Sequence, residues 1–454
     1  MSVTAFFDSV KKKMSKDKFV YAVRTGNIED VQKFINDGEN VDFALDYTGV
    51  TLLHFACTNG QLEIARLLIE GGANVNAAMK DDGSTPLIIC SMYNHLKILQ
   101  LLIKRGANVN AAKTNDGWTP LIFASSHGRE GIVRLLLEAG ANVNAAETIY
   151  GITPLMFASL HGHEGIARLL LEAGANVNAA EKNEGWTVLM WAIKEGHLKI
   201  AQLLVERGAN VNAARTRDGM TSLMWASQKG YLEIARLLLD RGANVNATRT
   251  SDGQTALMRA AYGWITTSEV NNLPVIQLLI ERGAIVNAVA TDGMTSLMIA
   301  AEYGHMATVR LLVEAGANVN ARTKPGFFGS TALDYANREE IASYLKNVVT
   351  RVKLNPLEAA GAAGGAGAFV RNNKQEVQSV VNPLAAARAG GGAGAGGGGA
   401  VEVQNPLAAA RAGASVEVSN PLFGAKQRKS LKSRKSRKSR KSRNSRKGRK
   451  TKRN

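Results

Sequence analysis

A threonine recurs every 34 residues along much of the chain, and each copy opens a T-x-L-x-x-[AC] segment. Until the last copy, the Gly of a G-A-N-V-N-A block follows each threonine after 21 residues. A fixed period of this length is typical of an array of stacked structural units. One unit cannot bury its own apolar face, whereas a row of units can, so the period predicts an extended surface rather than a pocket. The seven threonines are Thr51, Thr85, Thr119, Thr153, Thr187, Thr221 and Thr255.

Each repeat contains the start and stop signals of two short helices. In residues 114–147, Thr119 is a good N-cap and Pro120 suits the first helical position. The first helix is expected to end near Gly128. A second helix then has apolar residues at helical spacing and reaches Gly140, where a left-handed C-cap is expected. Helices of about ten residues are unstable alone in water, so neighbouring repeats must stabilise them.

These motifs resemble the ankyrin repeat family over residues 17–350. The resemblance implies an all-α repeat solenoid of paired antiparallel helices with short β-hairpin loops, followed by a disordered tail. It also implies one cap and nine motif-bearing repeats. The segments that match best are Thr51-Leu52-Leu53-His54, Thr119-Pro120-Leu121, Thr153-Pro154-Leu155, Gly196-His197-Leu198 and the second half of the third motif-bearing repeat, 135–144.

Two departures from the family pattern concern the loops. The period exceeds the usual ~33 residues, and the extra residue predicts slightly long hairpins. In the family, the motif His ties adjacent loops by hydrogen bonds, and here only His54 keeps it. The resemblance therefore implies that the other loops lack this tie. The replacing residues are Ile122, Met156, Met190, Met224, Met258 and Met298.

Composition and irregularities divide the chain into four parts. We expect an N-terminal extension at 1–16, the array at 17–350, an Ala/Gly-rich linker at 351–425 and a basic disordered tail at 426–454. The seventh motif-bearing repeat carries an insertion near 264–270, which either binds a partner or is a tolerated loop. The linker holds four Asn-Pro-Leu elements, which are either docking peptides or duplicated low-complexity sequence. These elements begin at Asn355, Asn382, Asn405 and Asn420.

The resemblance implies that a protein partner binds the concave surface, through the hairpin tips and the exposed ends of the first helices. The residue before each motif threonine is expected to point into that surface, and exposed aromatic residues favour binding. The alternative is that these side chains only cover the neighbouring hairpin. The candidate partner-binding residues are Val50, Trp118, Ile152, Trp186, Met220, Met294, Tyr93, His127, His161 and Trp264.

Other conspicuous residues are expected to be structural. The aromatic series Phe55, Phe123, Phe157, Trp191 and Trp225 is interpreted as core between repeats. Cys57 and Cys90 occupy equivalent positions in neighbouring repeats and are interpreted as small buried fillers. The seven histidines fall at repeat positions without metal-ligand spacing, so neither a metal site nor a cofactor is expected.

The tail accounts for nearly all of the net charge of +18, because residues 426–454 contain 17 basic residues and no acidic one. Without aromatic residues the tail cannot stack on bases, but it can attract phosphate groups. A nuclear-localisation signal read by an import receptor, non-specific nucleic-acid binding and attraction to an anionic membrane surface all fit. The run resembles those on proteins of large DNA viruses of eukaryotes. The candidate polyanion-binding residues are Arg434, Lys435, Arg437, Lys438, Arg440, Lys441 and Arg443.

These features favour a monomeric, non-enzymatic adaptor that binds a protein through the array and is targeted or tethered by the tail. The alternative is a nucleic-acid-associated protein in which the tail is the main binding element. We do not expect an enzyme, because no nucleophile–base set or phosphate loop appears. With no signal peptide and no apolar run near the roughly 18 residues of a membrane span, we expect a cytoplasmic or nuclear protein without a transmembrane segment.

Overall fold

The computed structural model describes residues 3–263 and 272–354, which form 19 α-helices. Eight repeats each contribute a first and a second helix, and α1, α2 and α19 lie at the ends. The end helices are α1 Val3–Thr25, α2 Ile28–Asn36 and α19 Glu339–Leu354. The first helices are α3 Leu52–Asn59, α5 Pro86–Tyr93, α7 Pro120–Ser126, α9 Pro154–His161, α11 Val188–Lys194, α13 Ser222–Lys229, α15 Ala256–Tyr262 and α17 Ser296–Glu302. The second helices are α4 Leu62–Glu70, α6 Leu96–Lys104, α8 Glu130–Glu138, α10 Glu164–Glu172, α12 Leu198–Glu206, α14 Leu232–Asp240, α16 Leu273–Glu281 and α18 Met306–Glu314.

The helices form two layers, since each first helix packs on the first helices of its neighbours and each second helix on the adjacent second helices. Apolar residues of both layers build one continuous core that extends from Phe19 to Leu345. The all-α repeat solenoid implied by the resemblance is therefore confirmed for the described residues. Cys57 and Cys90 lie fully buried in this core, as predicted, and burial raises the pKa of the Cys57 thiol.

Each first helix of the eight complete repeats begins at its motif threonine. The Thr119 hydroxyl, for example, accepts a hydrogen bond from the N–H of Ile122 at 3.3 Å. This bond satisfies one of the N–H groups that a helix leaves unpaired at its start. The second helix of that repeat ends at Glu138, and Gly140 follows with a φ of 84°. The predicted caps are thus confirmed.

A cross-loop hydrogen bond closes each hairpin loop, and isolated bridges take the place of regular strands in the described residues. In one loop the N–H of Lys113 donates to the carbonyl of Trp118 at 3.0 Å. The same bond joins Met79 to Ser84 at 2.9 Å. In the eighth repeat the bond joins Ala290 to Met294, one residue closer, because that loop lacks the extra residue. This comparison places the additional residue of the 34-residue period inside the hairpin.

Neighbouring hairpins are joined by backbone hydrogen bonds that do not depend on the motif His. The N–H of Thr114 donates to the carbonyl of Asp82 at 2.8 Å, and that of Thr148 to Asp116 at 2.8 Å. Repeats that carry Ile or Met in place of the His therefore lack its side-chain bond but keep a backbone tie to the next hairpin. Equivalent bonds join Lys80 to Thr48, Lys182 to Tyr150, Thr216 to Glu184, Thr250 to Asp218, Thr291 to Asp252 and Lys324 to Asp292.

A ladder of asparagines joins the repeats a second time, below the hairpins. The side-chain oxygen of Asn110 accepts the N–H of Asn142 at 2.7 Å, and its amide donates to the carbonyl of Gly140 at 3.3 Å. Asn144, Asn178 and Asn212 make the same two bonds to the repeats that follow them. The G-A-N-V-N-A block is therefore a connector between repeats.

The two ends differ from the sequence-based boundaries. The N-terminal extension and the start of the cap form one helix, α1. At the other end, Thr331 does not begin a first helix; its N–H and hydroxyl both bond to the Asp334 carboxylate. The described residues therefore contain eight complete repeats, and the ninth keeps only α19. This helix ends at Leu354, so a boundary at residue 350 cuts through it.

Several predictions lie outside the described residues. They concern the insertion near 264–270, the Asn-Pro-Leu elements, and most of the segments 351–425 and 426–454. They remain predictions from sequence.

Candidate interaction face

The hairpins and the first helices together form one face of the array, which we call the hairpin face. It comprises the hairpin loops, the residue before each motif threonine, and the fourth, seventh and eighth residues after it. These positions meet because each loop packs on the first helix of its own repeat and of the next. The aromatic contacts of Trp118 and Trp186 show this arrangement.

Trp118 and Trp186 each lie between two aromatic rings of the first helices. The centroid of Trp118 is 4.7 Å from that of Phe123 in its own repeat and 4.8 Å from that of Phe157 in the next. Trp186 repeats the arrangement, at 4.8 Å from Trp191 and 5.2 Å from Trp225. The aromatic series of the first helices therefore packs between repeats, as predicted, under the tryptophans of the hairpins.

This packing corrects the expected exposure of three candidate residues. Ile152 and Trp186 are each 7% exposed, and Met220 is 2% exposed. Their burial favours the alternative that these three side chains cover a neighbouring hairpin rather than contact a partner. Val50, Trp118 and Met294 are half-buried and still reach the hairpin face.

The exposed candidates lie at the ends of the first helices. Tyr93 is 50% exposed, and His127 and His161 are exposed as well. All three are the eighth residue after a motif threonine, so the repeat places them in one row along the hairpin face. Trp264 lies outside the described residues.

The imidazole of His161 lies close to two other rings. His161 stacks on Phe157 with 6.5 Å between centroids, and its ring lies 6.0 Å from that of His163. Burial lowers the pKa of His161, and the nearby charges of His163 and His127 lower it further. Burial also lowers the pKa of His163, whose Nε2 lies 3.3 Å from the carbonyl oxygen of Ser126.

Two hairpins are held from inside by a glutamate. The buried carboxylate of Glu147 accepts the N–H groups of Ile149 at 2.7 Å, Tyr150 at 2.6 Å and Ile152 at 3.0 Å. Glu181 does the same for the next loop. Three hydrogen bonds to one carboxylate fix the loop conformation strongly. These glutamates give the hairpin face a defined shape.

An ion-pair network crosses the fifth to seventh repeats. Arg215 is 3.0 Å from Glu184 and 3.4 Å from Asp218. Arg249 is 3.0 Å from Asp218 and 3.4 Å from Asp252. Burial raises the pKa of Glu184, but hydrogen bonds from the Trp186 indole and from Arg217, together with the Arg215 charge, outweigh it and lower the pKa. The three cations Arg215, Arg217 and Arg249 thus balance three carboxylates, those of Glu184, Asp218 and Asp252.

This network and the two glutamates were not predicted from the sequence. Their signal is positional: Glu147, Glu181, Arg215 and Arg249 occupy the same place in successive hairpins. Their pairing could not be seen in the sequence, because each arginine bonds to a carboxylate of the preceding hairpin as well as its own. Arg259, which stands at a position of the aromatic series, was not predicted either.

The stacked hairpins, the threonine caps and the asparagine ladder match one family. A family model described as ankyrin repeats in three copies matches consecutive segments from residue 19 to residue 355. The chain is an ankyrin repeat protein. Ankyrin repeats suggest a protein–protein interaction role. The matched segment ends before the basic tail, so the resemblance of the tail to viral proteins stays a prediction. A search of curated proteins returns no significant match.

No group of three or more His, Cys, Asp or Glu side chains in residues 14–263 and 272–352 is arranged to hold a metal ion. In the same part of the chain, no helix has both the length and the apolar character of a membrane span.

Proposed function

We propose that the array is a non-enzymatic adaptor, which binds a protein partner on its hairpin face. The observation that carries the proposal is the joining of successive hairpins by backbone hydrogen bonds, as between Thr114 and Asp82. A surface held in this way is ordered before a partner arrives. Binding then costs little further ordering of loops, which favours affinity.

The exposed row on the first helices supplies the contacts. Tyr93 offers a rigid ring with a hydroxyl, and rings of this kind dominate protein interfaces. His127 and His161 offer further aromatic surface with polar edges. Trp118, Val50 and Met294 supply apolar area beside the row. We propose these residues as the central contacts of the partner, and place Trp186, Ile152 and Met220 beneath them as support.

A photo-crosslinking experiment tests this proposal in cells. A photoreactive amino acid is placed singly at Tyr93, His127 or His161, or at Arg134 or Arg168, which are exposed on the second helices. The proposal predicts that one protein is crosslinked from the three hairpin-face positions and not from the two controls. Adducts formed only from Arg134 and Arg168 would contradict it.

We further propose that the tail targets or tethers the complex. Its charge suits either a nuclear import receptor or a nucleic acid, and the choice is open. Removal of residues 426–454 is expected to abolish nuclear accumulation or binding to duplex DNA and to leave the protein adducts unchanged. Loss of the adducts together with the tail would favour the second candidate, a nucleic-acid-associated protein, whose DNA binding should fall steeply with salt.

A further inference from the structure

One first helix breaks the apolar pattern of the hairpin face. The fourth residue after the motif threonine is aromatic or Ile in seven repeats and Arg259 in α15. The structure keeps Arg259 in the position of those rings, half-buried among the first helices and hairpins. A guanidinium therefore occupies a place built for an apolar side chain.

Two glutamines hold this guanidinium. Nη1 donates to Oε1 of Gln254 at 3.0 Å, and Nη2 donates to Oε1 of Gln228 at 2.6 Å. Gln254 stands where most repeats have an apolar residue before the threonine, and Gln228 is the penultimate residue of the preceding first helix, α13. Two departures from the repeat pattern, Arg259 and Gln254, thus meet beside Gln228.

The glutamines satisfy hydrogen bonds but leave Arg259 without an ion pair in the part of the chain that the structure describes. Arg215 and Arg249 are paired with carboxylates, whereas no carboxylate among the described residues forms an ion pair with Arg259. Its Nε is also buried without an acceptor in that part of the chain. Burial, and then the charge of Arg249, lowers the pKa of Arg259, although Asp252 and Asp218 act in the opposite direction. A half-buried cation of this kind favours an anion from outside.

Aromatic surface lies directly beside the charge. The Arg259 guanidinium is 5.3 Å from the ring centroid of Tyr262, and Tyr262 and Tyr303 are 4.3 Å apart. Both tyrosines are half-buried on the hairpin face. An incoming group can therefore pair with the cation while its neighbour packs on two rings.

We propose that Arg259 binds the carboxylate of an Asp or Glu side chain in a partner segment, with an adjacent apolar residue on the Tyr262–Tyr303 pair. This inference rests on the proposed function and names the chemistry of that partner. A single carboxylate balances the single charge of Arg259. A phosphate group or a nucleic-acid strand carries more negative charge than this one cation balances.

The test uses a displayed library of random short peptides, selected against the full chain and against its variants. For the unaltered chain, we expect one enriched acidic position next to an apolar or aromatic one. R259M should lose that enrichment, and R259E should shift it to Lys or Arg. R236M is the matched control, because Arg236 is exposed on α14 in the preceding repeat. It should leave the selection unchanged.

A selected peptide then allows quantitative comparison. Its Kd should rise about 10- to 100-fold with R259M and stay the same with R236M, while the Tm of R259M stays equal or rises, because Met restores the apolar pattern. A marked fall in Tm would overturn the inference by assigning Arg259 to the fold. Peptides without an enriched acidic position, or with one that R259M retains, would also overturn it. If no selected peptide binds at the hairpin face, the proposed function itself is rejected.

Discussion

The Nε2 of His54 lies 3.1 Å from the carbonyl oxygen of Ser84, so one imidazole joins two repeats. The other ring nitrogen, Nδ1, accepts the N–H of Thr51 at 3.1 Å, which requires Nε2 to carry the proton and donate. The ring is thus held neutral at the start of α3. Burial lowers the pKa of His54, although hydrogen bonding and the Asp82 charge act against that shift.

This relationship predicts an acid-sensitive contribution to stability. Because the folded pKa lies below that of the unfolded chain, the unfolded chain binds more protons as the pH falls through about 6.5. The contribution of His54 to stability should therefore be fully present above that pH and decline below it. The lowered pKa values of His161 and His163 act in the same direction. H54M, which copies the residue of five other repeats, should reduce the decline. Urea unfolding at a series of pH values measures this, and an unchanged pH dependence would contradict the assigned role.

The buried position of Trp186 predicts that its removal acts on the fold. W186A should lower the free energy of unfolding by about 3 to 5 kcal/mol, because it leaves a cavity between Trp191 and Trp225. Y93A, at an exposed position, should change it by less than about 0.5 kcal/mol. Chemical denaturation of both variants checks the contrast. Equal effects would show that Trp186 is not a packing residue.

Two glycines give predictions of opposite sign. Gly117 has a φ of 73°, and a Cβ there would lie 2.6 Å from Cγ2 of Thr148 in the next hairpin. G117A should therefore destabilise the chain by at least about 1 to 2 kcal/mol. Gly131 lies in α8, where a Cβ would meet Leu96 at an ordinary 3.6 Å. G131A should stabilise the chain by about 0.5 to 1 kcal/mol. Thermal unfolding of both variants checks these predictions, and a stabilising G117A or a destabilising G131A would contradict them.

The asparagine ladder predicts that a polar residue below the hairpins contributes more to the free energy of unfolding than one at a hairpin tip. Asn144 accepts the N–H of Asn176 at 2.8 Å and donates to Gly174. N144A should cost about 1 to 3 kcal/mol, because the partner groups lose their bonds. Asn115, exposed at a hairpin tip, is the matched control, and N115A should be nearly neutral. If both variants unfold alike, the ladder does not connect the repeats energetically.

The sequence predicted the features that repeat and missed those that depend on two repeats at once. Thr119 and Gly140 were placed correctly, because caps are local and their residue preferences are strong. The burial of Trp186 was missed, because it depends on rings of two different repeats. Arg259 was overlooked for a related reason: its partners Gln228 and Gln254 are 31 and 5 residues away in the chain. The contact among these three residues can be seen only in the folded structure.

Hydrogen exchange of the full chain with L155A tests the continuous stack most directly. Leu155 is 1% exposed in α9, which packs on α7 and α11. Since each repeat is stabilised by its neighbours, we expect faster amide exchange in α7 and α11 as well as in α9. Faster exchange confined to α9 and α10 would show that the repeats are independent, and the hairpin face would then not be one surface.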